Sequence, residues 1–246
     1  IVECMLIVLP PSETKSFGGD HPPLDWDSLS FPELNSVRKQ IAADLVALDD
    51  PFTVLGISDK LAAEVEANQQ LLTSPTTPAI LRYTGVLYDA LSAGTLPNET
   101  LQRLAIGSAL FGVVRAGDLI PHYRLSGGTK LPTRSSSTTP TLKSRWGGLI
   151  TEVLSSADDL VVDLRSGTYQ QLGRLKTAIT VRVESVQPDG TRKVVSHFNK
   201  HYKGELARVL ALSEQDPTSI DEVAAIARAA GMTVEITSPT ALTLVV

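Results

Sequence analysis

Residues 5–9 read MLIVL and are followed at once by Pro10 and Pro11. Five apolar residues have strand length, and proline cannot donate to a ladder, so the run predicts a buried strand that stops at residue 9. A second buried strand is expected over 160–164, directly before Arg165-Ser166-Gly167. The alternating stretches 178–185 and 192–198 flank Pro188-Asp189-Gly190 and predict a hairpin. Two closing strands follow over 233–236 and 241–246, and another strand is expected near 106–110. Helices are expected over 34–48 (Ser30 as cap, Pro32 at its start), 58–72 behind Ser58, 80–91, 99–104, 142–155, 200–212 and 220–230, the last capped by Gly231. Strands and helices interleave without a regular βαβ repeat. The expected fold class is therefore mixed α/β (α+β-like), one domain over 5–246 with a mixed central sheet and surrounding helices. Residues 1–4 read as an upstream extension.

No apolar run approaches the roughly 20 residues of a membrane span, so no membrane partner is expected. The single cysteine, Cys4, allows neither an intramolecular disulfide nor a Cys-based zinc site, which fits a cytoplasmic location. Net charge is −5, but it is unevenly placed. Residues 1–114 hold 6 Lys/Arg against 14 Asp/Glu, residues 115–208 hold 15 against 8, and residues 209–246 hold 1 against 5. A basic middle between acidic ends has two readings: acidic helices over a neutral sheet, or a basic cleft that focuses an anionic ligand.

Several signatures are missing: a Walker A loop, GxGxxG after a strand, HExxH and GxSxG. No cofactor or metal is expected, and no catalytic residue can be named. Of the four histidines only His197 and His201 have i, i+4 spacing, which reads as surface or groove rather than a ligand pair.

Three stretches could carry binding chemistry. The first is VLGISDKLAAEV, residues 54–65, which has most of a helix-hairpin-helix turn. Gly56, Ser58 and Lys60 would present the second helix's backbone N–H groups to a phosphate; an ordinary helix start is the alternative. The second is a set of Arg/Tyr pairs near strand or loop ends: Arg82-Tyr83, Arg115, Tyr123-Arg124, and Asp163 through Tyr169 with Arg165 and Ser166. Arg offers a planar fork for phosphate or carboxylate, and Tyr a ring and a hydroxyl. Asp163 is expected to orient a neighbouring arginine. The third is SHFNKHYKGELAR, residues 196–208, where Lys200, His201, Lys203 and Arg208 crowd a helix start. Cations there oppose the helix dipole, so either an anion is held or the face is simply solvated. The stretch 126–140, rich in Gly, Ser and Thr, reads as a mobile loop.

Taken together, MLIVLPPSETKS, GISDKLA, RYTGVLYDAL, SALFGVVRAGDLIPHYRL, VVDLRSGTY and VVSHFNKHYKGELAR resemble, in order and over nearly the whole chain, the YaaA family of peroxide-stress proteins. The variant is the one typical of high-GC Gram-positive bacteria. The resemblance implies a single mixed α/β domain with a positively charged cleft and a helix-hairpin-helix-like element. It further implies DNA binding and protection against hydrogen peroxide, in part by limiting unincorporated iron; no established reaction comes with it. Carried over, the hairpin falls on residues 56–62 and the cleft on Lys15, Arg82, Arg115, Tyr123, Arg124, Arg165, Lys200 and Lys203. The better-known branch has SPAKT where this chain has Pro-Pro-Ser-Glu-Thr, so Glu13 stands at the position of a lysine.

Two functions compete on these grounds. One is a stress protein that binds DNA, duplex or locally unpaired. The other is an enzyme acting on a small anionic or nucleotide-like ligand, for which Lys15, Arg82, Arg165, Ser166 and Tyr169 would converge on one deep pocket. Direct iron binding is disfavoured by the single Cys and the scattered His, so any effect on iron is expected to be indirect.

Overall fold

The computed structural model of the chain describes residues 5–135, 137–157, 160–195 and 198–246. The expected extension with Cys4, and His197 of the histidine pair, lie outside the described residues. Strand β1 (Leu6–Leu9) is wholly buried. After the short strand β2 (His21–Pro23), a 3-10 turn opening on Pro32 leads into helix α1 (Asn35–Val46). Ser30 does not cap it; its hydroxyl donates to Asp118 Oδ1 at 2.7 Å. Helix α2 (Pro51–Leu55) ends on Gly56 at φ 65°, and a 3-10 turn leads to helix α3 (Ala62–Gln69). Ser58 occupies the capping position, but its side chain makes no capping bond.

Strand β3 (Pro75–Pro78) runs into helix α4 (Ala79–Arg82) and helix α5 (Val86–Leu91). One helix was expected here; Gly85 at φ 99° divides it. A 3-10 segment at Asn98–Arg103 precedes strands β4 (Leu104–Ser108), β5 (Gly112–Arg115) and β6 (Leu119–Ile120). Helices α6 (Leu142–Trp146) and α7 (Leu149–Ser156) replace a second expected single helix, parted at Gly147. The chain closes with strand β7 (Val161–Asp163), helix α8 (Gly167–Gln170), strands β8 (Ile179–Val186) and β9 (Arg192–Val194), helices α9 (Asn199–Ala211) and α10 (Ile220–Ala229), and strands β10 (Thr233–Ser238) and β11 (Ala241–Val245).

Among the described residues the main sheet has eight strands, in the order β10-β11-β8-β7-β1-β4-β5, with β9 also paired to β8. The run β11-β8-β7-β1-β4 is parallel throughout. β10, β5 and β9 are antiparallel to their partners. This is the mixed α/β architecture expected, with a smaller antiparallel sheet β2-β3-β6 added. The central strands are apolar because a parallel sheet is covered on both faces.

Helix α9 lies close against α5. A Cβ at Gly204 would stand 2.3 Å from the Leu87 carbonyl oxygen, so only glycine lets the two backbones meet. The 126–140 stretch does not hang free: the Gly127 N–H donates to Tyr169 Oη at 3.1 Å, and Leu131 is bonded to Pro140. No described helix is long and apolar enough to cross a membrane.

Candidate functional site

Strand β1 leads to β4 on one side of itself, whereas β7, its other neighbour, leads to β8 in the opposite direction. The carboxyl ends of β1 and β7 therefore flank a switch in strand order, the place where an open α/β sheet leaves a crevice. A cavity of about 830 Å³ opens there. Pro10, Pro11 and residues 164–170 line it. Lys200 and Lys203 enter from α9. Strand β8 last pairs with β7 at Thr180 but continues to Val186, so it stands with β11 as a wall above the end of β7.

Arg165 is the best-anchored group at this end. Its Nε donates to Asp163 Oδ1 at 2.9 Å and its Nη2 to Oδ2 at 2.9 Å, while the backbone N–H takes Oδ1 at 3.0 Å. Nη2 also reaches the Gly173 carbonyl at 2.8 Å. Asp163 thus orients Arg165, as its position two residues earlier suggested. The side chain crosses the sheet over β4, where a Cβ at Gly107 would lie 2.7 Å from Arg165 Cδ. Lys203 is 8% exposed and donates to the Leu164 carbonyl at 3.2 Å. Burial lowers its pKa, with Asp163 acting in the other direction.

The first loop adds a buried cluster next to the cavity. Lys15 Nζ donates to the Ser12 carbonyl at 3.0 Å and sits 4.5 Å from the Tyr123 ring centroid and 5.5 Å from that of Tyr83. Burial lowers its pKa to about 8, opposed by the charges of Glu13 and Glu64. The hydroxyls of Tyr83 and Tyr123 are 2.7 Å apart, and Tyr123 is also 2.7 Å from Ser108 Oγ. Burial pushes Tyr83 up to about 12 and Tyr123 well above its usual value. Glu13 lines the cavity and pairs with Arg124 at 3.3 Å. Glu13 therefore has a cation of its own.

Of the residues singled out in the sequence, Arg165, Ser166, Tyr169, Lys200 and Lys203 line this one cavity. Lys15 and Tyr123 form the adjoining cluster, and Arg124 reaches the rim through Glu13. Gly56, Ser58 and Lys60 lie on an exposed turn whose helix, α3, connects to the same region. Asn68 holds both the carbonyl and the N–H of Arg124, at 2.9 and 2.8 Å. Glu64 meets His122 Nε2 at 2.7 Å. Burial alone would raise the Glu64 carboxyl, but the His122 hydrogen bond and nearby cations hold it below its ordinary value.

Three arginines have other work. Arg82 is buried and donates to the carbonyls of Ser16, Gly18 and Ile120, at 2.6, 2.8 and 3.2 Å, stapling the first loop to β6. Arg115 pairs with Ala105 near the amino end of β4, at the opposite end of the parallel strands from the cavity. Its guanidinium lies 5.4 Å from the Phe31 ring centroid. Arg208 donates to the Leu91 carbonyl and Thr95 Oγ1 at 2.9 and 3.0 Å, fastening α9 to the end of α5.

Sequence reading missed Arg182, which lines the cavity from β8 and pairs with Glu184 at 2.9 Å; the alternation of ITVRVESV was its only signal. It also missed Phe17, 58% exposed and stacked on His122 with centroids 3.8 Å apart. Among the described residues no group of three His, Cys, Asp or Glu side chains gathers to hold a metal ion.

Residues 5–235 match the family model described as peroxide stress protein YaaA. A UPF0246 protein of Corynebacterium efficiens is 68% identical over 234 residues, covering 94% of this chain and 95% of its own. One of Streptomyces coelicolor is 40% identical, over 96% of this chain and 94% of its own. One of a Shewanella species is 31% identical, over 90% of each.

Proposed function

The chain belongs to the YaaA family of peroxide stress proteins, and from that premise we propose that it binds DNA across the carboxyl ends of its parallel strands. Locally unpaired strand, rather than closed duplex, would seat in the cavity, and binding would limit iron-dependent oxidative damage indirectly. The observation that supports this reading is the convergence of Lys200 and Lys203 on one cavity that Arg165 and Arg182, each paired with an acid, also line. Cations around a recess of this size suit a backbone phosphate with its nucleotide turned out of the stack, which a closed duplex cannot offer. The exposed turn around Gly56 and Lys60 would add a backbone contact of the helix N-terminus type. Because the whole chain is acidic, binding should be structure-selective and modest.

Fluorescence anisotropy with a bubble oligonucleotide and its fully paired counterpart tests this. The bubble should bind more tightly, with affinity falling steeply and linearly on a log–log salt plot, by about 0.7 per single-strand phosphate contacted. Salt-insensitive binding, or none at low salt, would overturn it. A second reading is a small anionic or nucleotide-like ligand in the same cavity. What favours it is the buried ammonium of Lys203, a group that a surface clamp on a backbone does not require.

A further inference from the structure

The end of strand β7 carries one more cation than the described residues pair there. Asp163 gives both carboxylate oxygens to Arg165, so this pair is neutral and closed. The two carboxylates that line the cavity are also engaged, Glu13 with Arg124 and Glu184 with Arg182. Lys203 is left over. An ammonium has three N–H donors, and the Leu164 carbonyl accepts one of them at 3.2 Å. Among the described residues no carboxylate lies within ion-pair distance of Lys203 or of Lys200. A buried cation without a counter-ion is costly to maintain.

The surroundings add to that cost. Lys200 and Lys203 stand one turn apart on α9, both on the cavity and both in its first turns, where the helix dipole already places positive charge. Lys200 is exposed, so its charge is cheap; that of Lys203 is not. One group in the cavity would relieve all three. An oxyanion with enough oxygens to meet two ammonium groups, and with two charges rather than one, has the chemistry to do so. Ser166 and Gly167 line the same recess, with open space around a Cβ at Gly167. The cavity of about 830 Å³ is of nucleotide size.

We propose that Lys203 is the anion-receiving group of this cavity and that its ligand presents a phosphate to Lys203 and Lys200 together. This rests on reading the β1/β7 cavity as the binding site. The phosphate belongs either to a free mononucleotide-like molecule or to a DNA strand, and the chemistry at Lys203 is the same for both.

The test uses the full chain and its Lys203→Met variant, with exposed Lys193→Met on β9 as control. Inorganic phosphate should raise the thermal midpoint of wild type and of the control beyond chloride at matched ionic strength, and leave Lys203→Met unmoved. In wild type itself, phosphate should shift the NMR signal of the Lys203 ammonium, a readout independent of how the variant packs. No phosphate effect beyond chloride, or an equal effect in Lys203→Met, would overturn the proposal. Thymidine 5′-monophosphate and the bubble oligonucleotide then separate the sources. If the monophosphate binds at least tenfold more weakly to Lys203→Met while the bubble does not bind at all, the DNA reading fails and the phosphate site stands. If the bubble binds and loses at least tenfold in Lys203→Met, the phosphate is the strand's own. If the bubble and the monophosphate both bind Lys203→Met as well as wild type, the phosphate site fails and DNA binding stands.

Discussion

Arg165 crosses the end of the sheet directly over Gly107, so closely that a Cβ on Gly107 would stand 2.7 Å from Arg165 Cδ. The glycine in β4 and the arginine after β7 are separated by β1, and the close approach ties all three strands together. Gly107→Ala should force the buried guanidinium off its rotamer and cost about 1–3 kcal/mol, the usual range for overpacking. Urea unfolding measures this; an unchanged midpoint would show that Arg165 has room to move.

The same logic applies to Gly204 on α9, whose added Cβ would meet the Leu87 carbonyl oxygen at 2.3 Å. Backbone cannot yield as a side-chain tip can. Gly204→Ala should push α9 away from α5, destabilise the fold by more than about 1 kcal/mol and move the adjacent Lys203. Unchanged stability together with an unchanged Lys203 environment by NMR would contradict this packing.

Lys15 predicts an unusual pH dependence. Its pKa is about 8 in the folded chain against 10.5 for the ordinary side chain. Between these values the unfolded chain holds a proton that the folded one lacks, so stability rises with pH across that window. Below pH 8 the burial cost is fully present, on the order of 3 kcal/mol by the usual conversion. Above pH 10 the raised tyrosines act the other way, so pH 8 to 10 is the informative range. Lys15→Met should remove most of the rise seen in wild type by urea unfolding at fixed ionic strength. Parallel curves for the two proteins would exclude Lys15 as its source.

Lys60 and Lys200 are both exposed, so their substitution tests binding with little risk to the fold. Lys60→Glu and Lys200→Glu should each weaken bubble-oligonucleotide binding at low salt and reduce the salt slope by about 1. If only Lys200→Glu has an effect, the turn at Gly56 is an ordinary helix start. If neither does, DNA does not reach this end of the molecule.

How much of this was legible depended on how local the cause was. Pro10 ends β1 and Gly56 turns the chain between two helices because proline and glycine act on their own backbone, so both were readable. So was the hairpin at Gly190, which has φ 81°, and the role of Asp163, which lies two residues from its partner. Strand β5 was not foreseen, because the strand expected near 106–110 runs across the tight turn after which Arg115 pairs back with Ala105. The arginines divide the same way. In sequence, Arg82, Arg165 and Arg208 are equivalent cations beside strands and helices. Only the tertiary carbonyls of Ser16, Gly18 and Leu91 reveal that two of them fasten segments together, while Arg165 sits on the cavity. That Lys203 has no ion-pair partner among the described residues is likewise a tertiary fact, since Arg165 takes both oxygens of Asp163.

The account turns on where an anionic strand meets the molecule. Backbone chemical-shift mapping during titration with the bubble oligonucleotide reads that position directly. Signals of Ser166, Gly167, Thr168 and Lys200 should move first and saturate together, with those of Gly56 to Lys60 following. Movement confined to other surfaces, such as the β8–β9 hairpin, or no movement at low salt, would contradict it.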